Sequence, residues 1–94
     1  MDIVDILAEI QNLVRQGASA KQLATYGVRV VEQLTNADEQ SAVGRVVLRA
    51  LLDRADAGQR SIAERALEVM DKFPSYPRPR AAVVRAALKS LAQA

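Results

Sequence analysis

Apolar residues three or four positions apart recur along most of this chain, and that spacing restricts it to amphipathic helices. In the first segment, apolar residues stand at positions 3, 6, 7, 10, 13 and 14. Asp2 and Asp5 lie at its start and Arg15 near its end, which is the arrangement that the helix dipole favours. Gly17 is the expected C-terminal cap. The spacing therefore predicts a first helix that ends just before Gly17.

The second helix is predicted with one ambiguity. Ser19 can cap it. Gly27 is followed by VRVV, and both features disfavour a helix, because glycine is unfavourable in a helix interior and β-branched residues suit strands. A lone strand would have nothing to pair with, so we expect a helix that is either continuous or broken at Gly27. Its inward side chains are expected to be Leu23, Tyr26, Val30, Val31 and Leu34.

The third helix is predicted to begin after Asn36, because Glu39 three residues later completes a capping-box pattern. It is expected to end near Gly58. Its apolar residues cover most of its sides between positions 43 and 55. A helix of this kind belongs in the middle of a bundle.

The fourth and fifth helices are separated by the stretch KFPSYPRPR, residues 72–80, which holds all three prolines of the chain. The sequence SIAE predicts that Ser61 opens the fourth helix. The spacing of the apolar residues that follow places Phe73 on the inner face of this helix. Pro74 is expected to end that helix and Pro79 to occupy the first position of the fifth. We expect Tyr76 to pack down and hold the turn. The stretch is thus interpreted as a helix connection rather than as a PxxP ligand.

Together these segments predict an all-α fold, a compact antiparallel bundle of five helices, or of six if Gly27 splits the second. A chain of 94 residues is expected to form a single helical-bundle domain, 1–94, either whole or cut from a larger protein.

The chain contains no cysteine and no histidine. Disulfides, thiolate and imidazole metal sites, cysteine nucleophiles and histidine-based triads are therefore excluded. Asp53 and Asp56 lie on one helical face, but Arg49 stands beside them, and nothing indicates the burial that would turn a carboxyl into a general acid. We predict no enzymatic activity, no metal site and no cofactor.

The N-terminus has neither a basic region nor a cleavage site, and acidic residues interrupt its apolar stretch. We therefore expect neither a signal peptide nor a membrane span, no membrane partner, and a cytoplasmic location.

Charge is distributed unevenly along the chain. Residues 1–71 carry a net charge of −3, whereas residues 72–94 carry +5 and contain no acidic residue. Residues 1–14 carry acids and no base. The sequence therefore predicts two candidate partner-binding surfaces: an acidic surface of Asp2, Asp5 and Glu9, and a basic surface of Arg78, Arg80, Arg85 and Lys89.

Three interpretations of this charge pattern remain open at the level of sequence. The terminal helices could lie side by side and offset each other's charge, or both could be solvated, since exposed pairs contribute only about 0–1 kcal/mol. The two surfaces could bind each other across copies or bind a related domain, and the excess of arginine, ten to three lysines, suits such contacts. The basic surface could instead bind phosphates of nucleic acid, although only three residues are aromatic.

A bundle of this length, helix number and charge segregation resembles the death-fold superfamily, including caspase-recruitment-type domains. That resemblance implies a signalling adaptor that joins like domains through charged patches. We therefore predict a non-catalytic protein–protein interaction module, with homotypic self-association or a related helical domain as partner. The alternative is a small DNA- or RNA-binding regulator that uses the basic C-terminal segment.

Overall fold

The structure, a computed structural model, describes residues 2–93, and most of them are helical. Five α-helices follow one another in this range: α1, Ile3–Arg15; α2, Ala20–Gln33; α3, Ala37–Leu52; α4, Ala57–Asp71; and α5, Pro77–Gln93. No strand occurs within residues 2–93, so the predicted all-α class is confirmed.

Helix α1 ends in the predicted glycine cap. Gly17 has a φ of +80°, in the left-handed region that glycine adopts at little cost. Its N–H donates to the Val14 carbonyl at 3.1 Å, and the Ala18 N–H donates to the Leu13 carbonyl at 3.0 Å. These two bonds form a Schellman motif, which satisfies carbonyl groups left unpaired at the helix end.

Helix α2 runs without a break through Gly27, so the predicted region contains one helix and not two. At its start, Ser19 accepts the Gln22 N–H at 3.1 Å, and the Gln22 side chain accepts the Ser19 N–H at 2.8 Å. A Cβ placed on Gly27 would lie 3.1 Å from Leu88 Cδ1 and from Val47 Cγ1. Glycine at this position therefore allows α3 and α5 to pack closely against α2.

Helix α3 begins where the sequence predicts and ends six residues earlier than expected. The Asn36 side chain accepts the Glu39 N–H at 3.1 Å and caps the helix. The last helical residue is Leu52, and the prediction of an end near Gly58 was wrong. Arg54 lies just beyond the helix end, and its guanidinium donates to the Ala18 carbonyl at 3.1 Å, which ties the connection between α3 and α4 to the end of α1.

The predicted start of α4 at Ser61 was also wrong. Asp56 caps the helix by accepting the Gln59 N–H at 2.8 Å, and the Gln59 side chain accepts the Asp56 N–H at 2.9 Å. This capping box lies one turn before the SIAE pattern, so Ser61 is an exposed residue inside α4. Two cap patterns follow each other closely in the sequence, and the structure forms the earlier one.

We expect Asp56→Ala to lower the free energy of unfolding by about 0.5–2 kcal/mol, because it removes the cap of α4. Ser61→Ala is the matched control and should leave stability unchanged or raise it slightly, since alanine is the better helix former inside a helix. Urea unfolding followed by circular dichroism measures both. A loss for Ser61→Ala as large as that for Asp56→Ala would contradict this helix start.

The connection between α4 and α5 also differs from its prediction. Helix α5 starts at Pro77, and Pro79 lies within its first turn, where neither missing N–H costs a helical hydrogen bond. Phe73 and Tyr76 are not packed inward: they are 39% and 61% exposed. The reason is that α4 ends at Asp71, so Phe73 lies in the turn and not on the inner face of the helix.

Helix α3 occupies the centre of the bundle, as predicted, and packs against each of the other four helices. Helix α5 packs against α2, α3 and α4, whereas α1 packs mainly against α3 and less extensively against α2. The radius of gyration is 11.9 Å, close to the value of about 13 Å typical of a compact 100-residue domain. The largest fully buried side chains are aliphatic or Met: Ile10, Leu23, Leu48, Leu51, Met70, Leu88 and Leu91.

Candidate functional site

The three residues of the predicted acidic surface are exposed at the start of α1 and along its first turns, to one side of buried Ile6 and Ile10. Asp2 is the N-cap of the helix, and its side chain accepts the Val4 N–H at 3.0 Å. Asp5 and Glu9 are exposed one turn apart. The acidic surface is therefore present, although Asp2 also has a structural role.

A groove of about 850 Å³ lies beside this surface, between α1 and α2. Glu9 lines one side of it, and Tyr26 and Arg29 line the other. Burial raises the pKa of the Tyr26 phenol, the nearby Glu9 carboxylate raises it further, and Arg29 opposes the shift. Tyr26 was expected to point inward, yet it is only half-buried and remains accessible from the groove.

The four residues of the predicted basic surface do not form one patch. Arg78, Arg85 and Lys89 follow one another at intervals of seven and four residues, so they line one stripe of α5. Arg80 is two residues after Arg78, which places it about 160° away around the helix. The structure thus divides the basic surface into a stripe and a separate arginine.

Arg80 is engaged at the end of α4. Its guanidinium donates to the Met70 carbonyl at 2.7 Å, in a partly buried position. Helix ends leave carbonyl groups without helical partners, and this contact satisfies one of them. Arg80 therefore joins α5 to α4, in addition to carrying charge.

Arg85 and Lys89 also have contacts within the bundle. Arg85 donates to the Gln40 side-chain oxygen at 3.1 Å, and the Gln40 amide donates to the Leu34 carbonyl at 2.6 Å. The network links α5 to the junction of α2 and α3. Lys89 Nζ lies 3.9 Å from the Glu32 carboxylate, and both side chains are more than half exposed. Part of the charge in this stripe is therefore offset by neighbours on α2.

Asp71 lies near three arginines, Arg45, Arg49 and Arg80, and the charge count did not identify the first two. Arg45 pairs with Asp71 at 2.9 Å. The hydrogen bond from Arg45 holds the pKa of the Asp71 carboxyl below its usual range, and the charges of Arg45, Arg49 and Arg80 lower it further. Arg45 and Arg49 are four residues apart on α3, and this spacing was the only sequence signal for their joint position.

Ion pairs within residues 2–93 join α3 to α4, residues within α4, and α2 to α5. None of them joins the acids of α1 to the bases of α5. The interpretation in which the terminal helices neutralise each other by direct pairing is therefore not supported by the described residues.

Other kinds of site find little support in the described part of the chain. No group of three acidic side chains comes together there as it would around a metal ion. None of the helices within residues 2–93 combines the length and apolar character needed to cross a bilayer.

No protein-family model, curated protein or solved structure matches this chain. The resemblance to death-fold domains therefore stays a prediction from length, helix number and charge. The exposed charged and apolar side chains of the bundle are the features that bear on its function.

Proposed function

We propose that this chain is a non-catalytic interaction module that associates through the acidic surface of α1 and the basic surface of α5. Its partner is a second copy of the chain or a related helical domain. One observation carries the proposal: the exposed acids of α1 form no ion pair with α5 within residues 2–93, so both surfaces keep charge that a partner can meet.

Physical chemistry favours association between copies that carry both surfaces. Complementary charges increase the rate of encounter and orient the two partners. Their range is about 10 Å at 0.1 M salt and shrinks to about 3 Å at 1 M. A contact between two different surfaces is heterologous, so it leaves one surface unoccupied at each end and can extend to a ring or a filament.

We expect concentration-dependent self-association at low salt that weakens as salt is raised. The variant Asp5→Lys with Glu9→Lys should weaken self-association by about tenfold or more. It removes two charge pairs, at roughly 0–1 kcal/mol each, and adds repulsion at both positions, and a tenfold change in affinity corresponds to about 1.4 kcal/mol. Sedimentation velocity over a series of protein and salt concentrations measures the effect.

The chain offers a matched control away from α1 and α5. Asp53 and Glu64 are also exposed acids, so Asp53→Lys with Glu64→Lys changes the net charge equally elsewhere on the bundle. This control should associate as the wild type does. A wild type that stays monomeric at high concentration and low salt would contradict self-association, and equal losses in both variants would indicate a general charge effect without a defined surface.

The second candidate function is binding of DNA or RNA through the basic surface. The observation in its favour is that Arg45, Arg49 and Arg80 all lie near Asp71, so arginines of α3 add positive charge to that of α5 around this carboxylate. Titration of a labelled duplex and a labelled single strand over a salt series tests it, since phosphate contacts make affinity fall steeply with salt. Absence of binding at low salt would dismiss this candidate.

A further inference from the structure

The turn between α4 and α5 presents an exposed aromatic pair. Phe73 and Tyr76 are two of the three aromatic residues in the chain, and they are 39% and 61% exposed. Their ring centroids lie 6.5 Å apart, with the rings edge to face. The turn itself is ordered by the Tyr76 N–H, which donates to the Phe73 carbonyl at 3.2 Å, and by Pro74 and Pro77, which fix their own φ angles. The backbone that carries the pair is therefore ordered before any partner binds.

Two basic residues stand on either side of this pair in the sequence. Lys72 and Arg78 flank it in sequence, and both are exposed. The nearest acid in sequence, Asp71, is already paired with Arg45 at 2.9 Å. Aromatic side chains and arginine are enriched at the energetic centres of protein interfaces. We name Lys72, Phe73, Tyr76 and Arg78 the aromatic–basic corner.

We propose that the aromatic–basic corner is the docking site for helix α1 of a second copy of this chain. The inference rests on the proposed function and moves the contact to one end of the predicted basic surface, since the corner shares only Arg78 with that surface. The corner supplies both an apolar anchor and positive charge, and α1 supplies the complement of each.

Helix α1 presents an exposed apolar side chain in the same turn as an exposed acid. Val4 is 69% exposed and precedes Asp5 in the first turn of the helix, about 100° from it around the helix axis, so a partner that covers the start of α1 can contact both. Large apolar side chains are rarely exposed within residues 2–93, and those that are comprise Val4, Val46, Phe73 and Tyr76. One of these lies on the acidic helix and two lie in the corner. A contact between the two surfaces would bury apolar area and pair opposite charges at the same time.

The rest of the basic stripe is less suited to the contact. Arg85 is held by Gln40 at 3.1 Å, and Lys89 lies 3.9 Å from Glu32, so a partner carboxylate would compete with contacts already made. Arg78 makes no ion pair within residues 2–93. It lies at the end of the stripe that adjoins the aromatic pair, and its charge is open to a carboxylate of α1.

Two complementary variants test the inference. Tyr76→Ala with Arg78→Glu removes the corner, and Val4→Ala with Asp5→Lys removes the docking face of α1. Each variant should be monomeric alone at concentrations where the wild type associates. Mixed together, they should form a 1:1 complex that does not extend, because one intact surface of each kind remains. Circular dichroism and thermal melting verify that both variants fold.

Single substitutions provide the controls. Tyr76→Ala should weaken association by about tenfold or more, as expected for an interface tyrosine, whereas Tyr76→Phe keeps the ring and should retain it. Arg65→Glu reverses an exposed arginine on α4 and should have no effect.

The outcomes separate this inference from the proposed function. If the wild type associates and the corner variant associates equally tightly, the corner is not the docking site, although self-association stands. If the wild type remains monomeric at low salt, self-association fails and the inference fails with it. Binding of a labelled single strand that the corner variant alone abolishes, without self-association, would assign the corner to nucleic acid and overturn the inference.

Discussion

Replacing Gly44 by alanine is expected to destabilise the bundle by about 1–3 kcal/mol or more, although alanine is the better helix former. Gly44 lies within α3, where α5 crosses it. A Cβ at this position would overlap Val84 Cγ1 and would lie 2.9 Å from Val84 Cβ and Cγ2. Val84 is fully buried, so its branched side chain has no open space into which it can move. The substitution therefore requires α3 and α5 to separate.

Gly58→Ala is the matched control, because Gly58 is also helical but exposed. The nearest atom to an added Cβ is Asp56 Oδ1 at 3.5 Å, so this variant should gain about 0.5–1 kcal/mol of stability. Guanidinium unfolding followed by circular dichroism compares the two. Adding Val84→Ala to Gly44→Ala should cost less than the sum of the single changes, because it removes both Cγ atoms. A Gly44→Ala variant as stable as the wild type would contradict the close approach of α3 and α5.

The sequence allowed the fold class to be predicted because burial imposes a helical period that is visible without knowledge of the partner helix. The central position of α3 followed in the same way from its broad apolar coverage. The boundary between α3 and α4 could not be placed, because Asp56 with Gln59 and Ser61 with Glu64 both have capping-box spacing. Only the packed structure decides between two such caps.

Gly27 is a second position at which the local sequence was not sufficient to predict the helix. Its local sequence favours a break in α2, since glycine followed by valines disfavours a helix. The helix continues because glycine there allows Leu88 and Val47 to approach, at 3.1 Å from the position of a Cβ. This requirement comes from α3 and α5 and cannot be read from the residues of α2 alone.

The candidate surfaces were predictable to the level of the helix but not to the level of the side chain. The charge count located acids on α1 and bases on α5. It could not show that Arg80 donates to the Met70 carbonyl or that Arg85 donates to Gln40, because those contacts depend on which helices pack together. The exposure of Tyr76 was missed for a related reason: an aromatic residue is expected to be buried unless the chain turns away from the core.

Because some of the basic side chains also make contacts within the bundle, the position chosen for substitution affects how the association should be tested. Reversing Arg85 would break a hydrogen bond within the bundle as well as a contact with a partner, so lost association could result from altered packing. Arg78 avoids this problem, since it is exposed in the first turn of α5, where a glutamate is favoured by the helix dipole. Asp5 and Glu9 are likewise exposed on α1. Variants at these positions report on the surfaces with the least disturbance of the core.

The second large effect concerns Leu88, which is fully buried where α5 packs against α2 and α3. Leu88→Ala is expected to lower the free energy of unfolding by about 2–5 kcal/mol, because it removes buried methyl groups and leaves a cavity. A domain of this length is stable by only roughly 5–14 kcal/mol, so the variant should unfold at much lower denaturant concentration. Circular dichroism over a guanidinium series measures the shift.

Gly27→Ala should partly rescue that variant. In the wild type its Cβ would be crowded by Leu88 Cδ1 at 3.1 Å and Cδ2 at 3.4 Å, whereas Leu88→Ala removes both of these atoms and leaves Val47 Cγ1 at 3.1 Å. The added methyl then fills part of the cavity and favours the helix, and together these effects should recover about 1–2 kcal/mol. In the wild-type background, Gly27→Ala should raise the free energy of unfolding by less than this or should lower it. A double-mutant cycle measures the difference, and strictly additive effects would show that Gly27 and Leu88 are not in contact.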